Sequence, residues 1–307
     1  MSIVRRFTLL SSLMLFSQAA AQDQAVTLVS PGDGPQQKLA YKFTPGQFLN
    51  YEVDHKMTFN VRYQQNVSKT REETQTWKQL RIVNVDESGN ATLEPMISRV
   101  KMMAKFDAEP EITYDSQNNT EAPKKFAPVA EAIGKTYVRL QFAPNGELLR
   151  VAALPGAPEH LAEAATKPDA QYNFLIVFPK EPIGIGAIWK DRFQVPVTVD
   201  KKLSQQVSLQ RQYTLTGIQG TTATITLKTS VITPINNPEV EGQLVQRTPN
   251  GIIEFDLERG VITSQTMSVV GQAVGAFGPM TALDASSTTH EKLVPAATAV
   301  QPAALKR

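Results

Sequence analysis

The residues best equipped for chemistry are the three histidines, His55, His160 and His290, because the chain has no cysteine. Histidine titrates near neutral pH and serves as base, proton shuttle or metal ligand. No two of these have metal-pair spacing and no His-Glu-x-x-His run occurs, so the sequence predicts no metal site. It also lacks the Gly-x-Ser-x-Gly run of a serine nucleophile elbow. Gly271, Gly275 and Gly278 in "GQAVGAFG" fit neither a phosphate loop nor a dinucleotide turn and have no helical run after them. They read as a flexible exit from a sheet, and no cofactor is expected. Glu72-Glu73 and Asp86-Glu87 are adjacent pairs that point to opposite faces of a strand, so they do not converge like glycosidase carboxylates. They read as solvated charge.

One stretch, "FDLERGVITS" (Phe255–Ser264), packs two acids and an arginine beside a glycine. Its counterpart, "FAPNGELLRV" (Phe142–Val151), has the same outline of phenylalanine, tight turn, glycine and departing strand. The stretch is therefore a hairpin used twice, and the sequence predicts a protein that is not an enzyme.

His55 lies in "YEVDHKMTFNVRY", where Tyr51, Val53, His55, Met57, Phe59, Val61 and Tyr63 alternate with polar residues. Period two over this length is a long strand with one buried face, which must twist and curl. On the apolar face His55 is expected to be desolvated and neutral. Strands are also expected over Glu72–Val85 and in "MISRVKMMAKF", with Met96, Val100, Met102 and Phe106 on one face against Arg99, Lys101 and Lys105. Others fall at Thr136–Phe142, Glu147–Ala152, Leu203–Thr216, Thr222–Val231, Ile252–Leu257 and Val261–Val270. Turn residues separate them at Ser88-Gly89-Asn90, Asn145-Gly146, Gln219-Gly220, Asn250-Gly251 and Arg259-Gly260. Helices are expected only as short pieces, at Pro128–Ile133 and Pro158–Ala165. The fold class is mainly β: long, curved antiparallel sheet built from two repeats of one β-unit, with a few short helices.

The repeats rest on three pairs in the same order. "PGQFLNYEV" answers "IGIGAIWKDRF", "VNVDESGNATLEP" answers "TGIQGTTATITL", and the two hairpins answer each other. Residues 38–153 and 182–270 form the two units, with a connecting segment over 154–181 that carries a short helix.

The start of the chain reads as an export signal over residues 1–21: Arg5 and Arg6, then "FTLLSSLMLF", then small residues before a cleavage point near Ala21. The apolar run is too short to span a bilayer and no second one follows, so no stable membrane insertion is expected. Removing Arg5 and Arg6 with the leader leaves 29 basic and 29 acidic residues, a neutral chain with little attraction for nucleic acid. The expected location is the periplasm or the extracellular space. Residues 22–37 and the Gly/Ala/Pro-rich tail, 271–307, read as largely disordered.

"LAYKFTPGQFLNYEV", "IGKTYVRLQFAPNGELLRV", "FPKEPIGIGAIWKDRF" and "YTLTGIQGTTATITL" resemble a family of exported bacterial proteins of unknown function with two β-rich repeats. The chain departs from that pattern at Ala187-Ile188-Trp189, where the family usually has an aspartate before the tryptophan. The resemblance implies an architecture and carries no catalytic residue. At fold level the chain is also distantly similar to the half-barrel carriers of lipoproteins and lipids in the bacterial envelope. Two functions are open. One is non-enzymatic binding of an apolar, lipid-like ligand, with His55, Met57, Phe59, Met102 and Phe106 as the ligand-binding residues. The other is a protein–protein interaction module at the cell surface or in the periplasm, with an envelope protein as partner. A catalytic role would need His55 to meet a carboxylate or hydroxyl in an open cleft.

Overall fold

The computed structural model describes residues 26–158, 174–199 and 203–295. The leader, His160, most of the expected helix at Pro158–Ala165 and the end of the tail lie outside them. The chain is mainly β. In the first half, β1 (Thr27–Ser30) and β2 (Asp33–Gln37) precede three long strands, β3 (Phe48–Tyr63), β4 (Asn66–Val85) and β5 (Ala91–Phe106). Then come β6 (Ile112–Asp115), helix α1 (Ala127–Ala132) and the hairpin of β7 (Val138–Phe142) and β8 (Leu148–Ala153). The second half begins with β9 (Ile183–Ile185), β10 (Ile188–Val199), β11 (Leu203–Gln219) and β12 (Thr222–Val231). Helix α2 (Pro238–Leu244) follows and runs into the 3-10 turn η1 (Val245–Arg247). The last strands are β13 (Asn250–Asp256), β14 (Val261–Val274) and β15 (Thr281–Val294).

Among the described residues, thirteen strands join one open antiparallel sheet in the order β1-β10-β11-β12-β13-β14-β15-β3-β4-β5-β7-β8, with β6 alongside β5. Each half runs as a meander of three long strands, a short helix and a closing hairpin. β15 bridges the halves by pairing with both β14 and β3.

The sheet curls, and α2 shows by how much. Val240 and Leu244 of α2 pack on Val195, Val197, Val207 and Leu209 from β10 and β11. A Cβ on Gly242 of the same helix would stand 2.5 Å from the Ala276 Cβ and 3.9 Å from that of Ala273 in β14. β10 and β14 are four strand spacings apart, about 19 Å in a flat sheet, so one thin helix reaches both only across a concave inner face. Gly242 is required there because α2 lies directly on Ala276, just past the end of β14.

At one end of the strands the inner face closes over two internal segments, Leu39–Phe43 and Phe174–Phe178. Tyr41 stacks on Phe43 and meets Phe178 and Phe255, and its hydroxyl donates to the Ile176 carbonyl at 3.1 Å. The paired hairpins grip the same strap: Tyr41 N–H donates to the Pro144 carbonyl at 2.7 Å and Lys42 N–H to the Gly260 carbonyl at 3.1 Å. Gly146 (φ +88°) and Gly260 (φ +62°) adopt the left-handed backbone these turns need. A side chain at either would collide with the strap or with Ile176. In "FDLERG" the Asp256 carboxylate accepts from the Glu258 and Arg259 N–H groups at 2.9 and 2.8 Å, so its acid closes a turn.

Four expectations need correction. Residues 271–294 are ordered: they finish β14, turn through Gly275–Met280 and form β15, a central strand. β15 escapes a hydrophobic-pattern reading because only Leu283 among its inner residues is large and aliphatic before Leu293. In the segment 22–37, β1 pairs with β10 and β2 with β9, and Val26 and Leu28 pack against the core at the edge of the sheet. Met96 does not share a face with Met102, because a bulge at Ser98 shifts the register and brings Ile97 inward. Asn250-Gly251 opens β13 instead of turning, and the Asn250 side chain accepts from the Thr229 N–H at 3.2 Å.

Candidate functional site on the inner face

His55, Met57 and Phe59 lie on β3 and Met102 and Phe106 on β5, all facing inward. β4 runs between them. Across the sheet the registered rows are His55–Thr74–Met102, Met57–Glu72–Ala104 and Phe59–Thr70–Phe106. Met102 and Phe106 pack under α1 with Val100, Tyr114, Phe126 and Val129. Phe59 lies toward the other side, against Val245, Ala273 and Leu283. Met57 is buried, whereas His55, Phe59 and Phe106 are half-buried. The five residues share a face without forming one cluster.

The strip between them is polar. His55 Nδ1 shares a hydrogen bond with Thr289 Oγ1 on β15 at 2.8 Å. Burial pushes the His55 pKa below its usual value, against an opposing pull from the Glu72 carboxylate. His55 thus meets a hydroxyl. Glu72, expected to be solvated, is buried and forms an ion pair of 2.5 Å with Lys125, whose ammonium lies 4.2 Å from the centre of the Phe106 ring. Burial drives this pairing, since an inward carboxylate on β4 must be neutralised. A second pair, Lys78 Nζ to Glu291 at 2.6 Å, borders the strip on the side of the internal segments. Two polar groups in or beside it, Thr76 Oγ1 and Gln246 Nε2, are buried with no hydrogen-bond partner in the protein. Among the described residues no group of three metal-ligating side chains occurs, and no helix is long and apolar enough to cross a membrane.

The second half supplies an internal control. Both halves bulge at one point, between Ile82 and Asn84 on β4 and between Leu215 and Gly217 on β11. Next to each bulge the bonding is the same: Gly46 N–H to the Ile82 carbonyl and Ile82 N–H to Gln47, Gly186 N–H to the Leu215 carbonyl and Leu215 N–H to Ala187. Counting outward through the strand registers, His55 corresponds to Val195, Met57 to Val197, Thr74 to Val207 and Thr76 to Leu209. Those four aliphatic residues are buried under α2. The equivalent positions in the first half are polar or flexible, and α1 lies over β5 instead, touching Ile97, Val100 and Met102. Met57 and Thr76 are buried like their counterparts, whereas His55 and Thr74 are left part-exposed.

His290 is exposed on the outer face and bonded to Thr266 Oγ1 at 3.0 Å. Gln246, Ser287 and Thr289 carried no sequence signal, since hydroxyl and amide residues in β-rich chains are ordinary strand filler.

No family model matches the chain, and no curated protein matches it. Among solved structures, one described as "lipid-protein interactions in lipovitellin" aligns with 82% of this chain and 25% of its own, at 12% identity and a TM-score of 0.43. The chain thus spans about a quarter of that protein's length. DynF from the dynemicin biosynthesis pathway of Micromonospora chersina aligns over 91% of this chain and 97% of its own, at 8% identity and a TM-score of 0.20. The Pseudomonas aeruginosa protein OccK11 (OpdR) aligns over 84% and 99%, at 7% identity and 0.17. These scores are too low to carry an argument about fold or function.

Proposed function

We propose that this is a non-enzymatic protein of the cell envelope that holds an apolar, lipid-like ligand against the inner face of its sheet. The observation that carries the reading is the contrast between the halves. Where Val195, Val197, Val207 and Leu209 pack under α2, the first half has His55 and Thr74 only half-buried beside the buried Met57 and Thr76, with no helix among the described residues over β3. Phe59 and Val61 continue that strip toward the strand end, half-exposed on an inward face. Central strands of a large sheet ordinarily bury such residues, and an apolar strip left part-open beside a few polar groups fits a ligand better than a core. The leader-like pattern of residues 1–21 supports a site of action in the periplasm or outside the cell.

A second reading has its own observation. Val270, Val274 and Met280 are 87%, 74% and 62% exposed on and beside the β14–β15 turn, which suits docking of an envelope protein.

Native mass spectrometry of protein purified gently from its own envelope tests both readings. A stoichiometric apolar mass, lost in a folded Phe59→Asp variant, is the expected result. A bare polypeptide mass overturns the ligand reading, and a mass matching a second polypeptide transfers support to the docking one.

A further inference from the structure

Four strands, β14, β15, β3 and β4, run past their neighbours at one end of the sheet. β14 continues from Val269 to Val274 beyond its last β13 pair, Asn250 with Ser268, and β4 reaches back to Asn66 beyond its last β5 pair, Thr70 with Phe106. The tongue they form extends roughly 20 Å past β13 and about 13 Å past β5. Its two turns are tied together, with Gln64 N–H donating to the Met280 carbonyl at 3.4 Å.

The most exposed large hydrophobic residues of the described chain all lie on this tongue: Val270, Val274, Met280 and Val67. Tyr63, on from Val61 along the inner face of β3, is exposed as well. These side chains do not share one plane. Val274 and Val67 end a registered row, Val274–Ala282–Arg62–Val67, on the outer face with Val270, whereas Tyr63 is on the inner face and Met280 in the turn. Met280 also holds a left-handed backbone (φ +65°), which disfavours a bulky side chain. An exposed apolar residue kept at that cost points to a partner outside the fold. The exposed charges of the tongue are mainly basic: Arg62, Lys69 and Arg71 stand on its outer face against one acid, Asp284, 3.7 Å from Arg62. Glu72 faces inward to Lys125, and Glu73 and Asp107 lie at the root, bound to Arg71 and the Lys69 N–H.

We infer that the tongue docks reversibly on an anionic lipid surface. Met280, Val67, Val270 and Val274 enter the interfacial layer, Tyr63 sits at head-group depth, and Arg62, Lys69 and Arg71 meet the phosphates. A fluid surface surrounds apolar residues spread over two faces and a turn, whereas a folded partner covers one face. Phe59 and Val61 leave the inward strip half-exposed toward the same end, but docking does not require the strip to hold a ligand.

The chain has no cysteine, so single replacements report position. Met280→Cys and Leu149→Cys, the latter on the edge strand β8, each carry an environment-sensitive fluorophore. They are mixed with vesicles of equal parts phosphatidylethanolamine and phosphatidylglycerol, or of phosphatidylcholine alone. The expected result is binding to the anionic vesicles, several times weaker to phosphatidylcholine, with a blue shift for the Met280→Cys label and none for Leu149→Cys. In the double variant Val274→Asp, Met280→Asp the melt should match the wild type, because both side chains are exposed, while partitioning falls roughly tenfold or more. Met280→Gly keeps or raises the melting temperature, since glycine suits the left-handed backbone, and still weakens binding. Failure of the wild type to bind either vesicle overturns the inference, as does binding that survives the double substitution or shifts both labels alike. Equal binding to both compositions removes the anionic surface. Binding to envelope membranes, but not to vesicles or to protease-treated membranes, gives the tongue to a protein and overturns the lipid surface.

Discussion

Replacing Lys125 with methionine tests whether the strip is a sealed protein interior at its β4 side. Lys125 and Glu72 have side chains 11% and 9% exposed and stand 2.5 Å apart, so solvent screening is slight. Truncating one member of a buried pair leaves an uncompensated charge and costs about 3–5 kcal/mol. Loss of the contact with the Phe106 ring adds up to about 1 kcal/mol. Methionine keeps most of the stem volume, so little of the effect comes from a cavity. For a chain of this size the melting temperature should fall by roughly 5–15 °C. The double variant Lys125→Met, Glu72→Gln should recover most of the loss, since a neutral amide is far cheaper to bury than a carboxylate. Thermal melts at pH 7 in low and high salt give the answer. A fall of only a degree or two, or one abolished by 0.5 M salt in the wild type, would mean that water reaches Glu72 and that the segment before α1 does not seal this side.

Two further outcomes follow from the same geometry. Gly260→Ala should cost more than Gly220→Ala: both glycines are left-handed (φ +62° and +58°), but a Cβ at 260 would stand 2.5 Å from the Lys42 nitrogen, whereas at 220 it meets nothing within 4 Å. The shared backbone strain is about 1–2 kcal/mol, so equal urea midpoints for the two variants would show that the strap does not bear on the hairpin. For His55, burial lowers the native pKa, so the unfolded chain binds its proton first. Stability from this residue is therefore present above the unfolded value of about 6.5 and is lost as pH falls below it. Between pH 8 and 5 the wild type should lose stability faster than His55→Asn, and an NMR titration placing His55 at or above its unfolded value would refute the account.

The legible part of this fold is the part where packing leaves a period. β12 shows alternation because one face meets an apolar layer and β3 because its inward positions are mostly apolar even where they stay half-exposed, and the two hairpins show their phenylalanines and glycines because Tyr41 and Lys42 press on both turns. α2 was hidden for an opposite reason. Its Pro238 and the Asn237 cap, which accepts from the Glu239 N–H at 2.9 Å, are ordinary start signals, but Gly242 in its middle weakens the helical pattern. That glycine answers to Ala276 across the sheet, a contact no local window contains. The Ser98 bulge reverses the face of β5 within a run whose composition reads the same in either register, so Met96 could not be placed without the partner strand.

The polar part of the candidate site was legible only at His55, and the physical reason bears on what the strip is for. A residue announces itself when it breaks a pattern, as a histidine does among valine, methionine and phenylalanine. Thr74, Thr76, Ser287 and Thr289 break none, because threonine and serine serve a strand equally well on either face. Their meaning appears only when the two halves are aligned through their bulges and Val195, Val207 and Leu209 stand where His55, Thr74 and Thr76 do. A sheet that needed only stability had an available solution, the one used under α2. Burying the Thr76 hydroxyl and the Gln246 amide without protein partners instead costs of order 1–3 kcal/mol each. Such groups are not confined to the strip, since Asp191 Oδ2 and Thr229 Oγ1 in the second half are also buried without a partner among the described residues; what sets the strip apart is the part-exposure of His55, Thr74, Phe59 and Val61 on an inward face, and the proposed ligand reading rests on that.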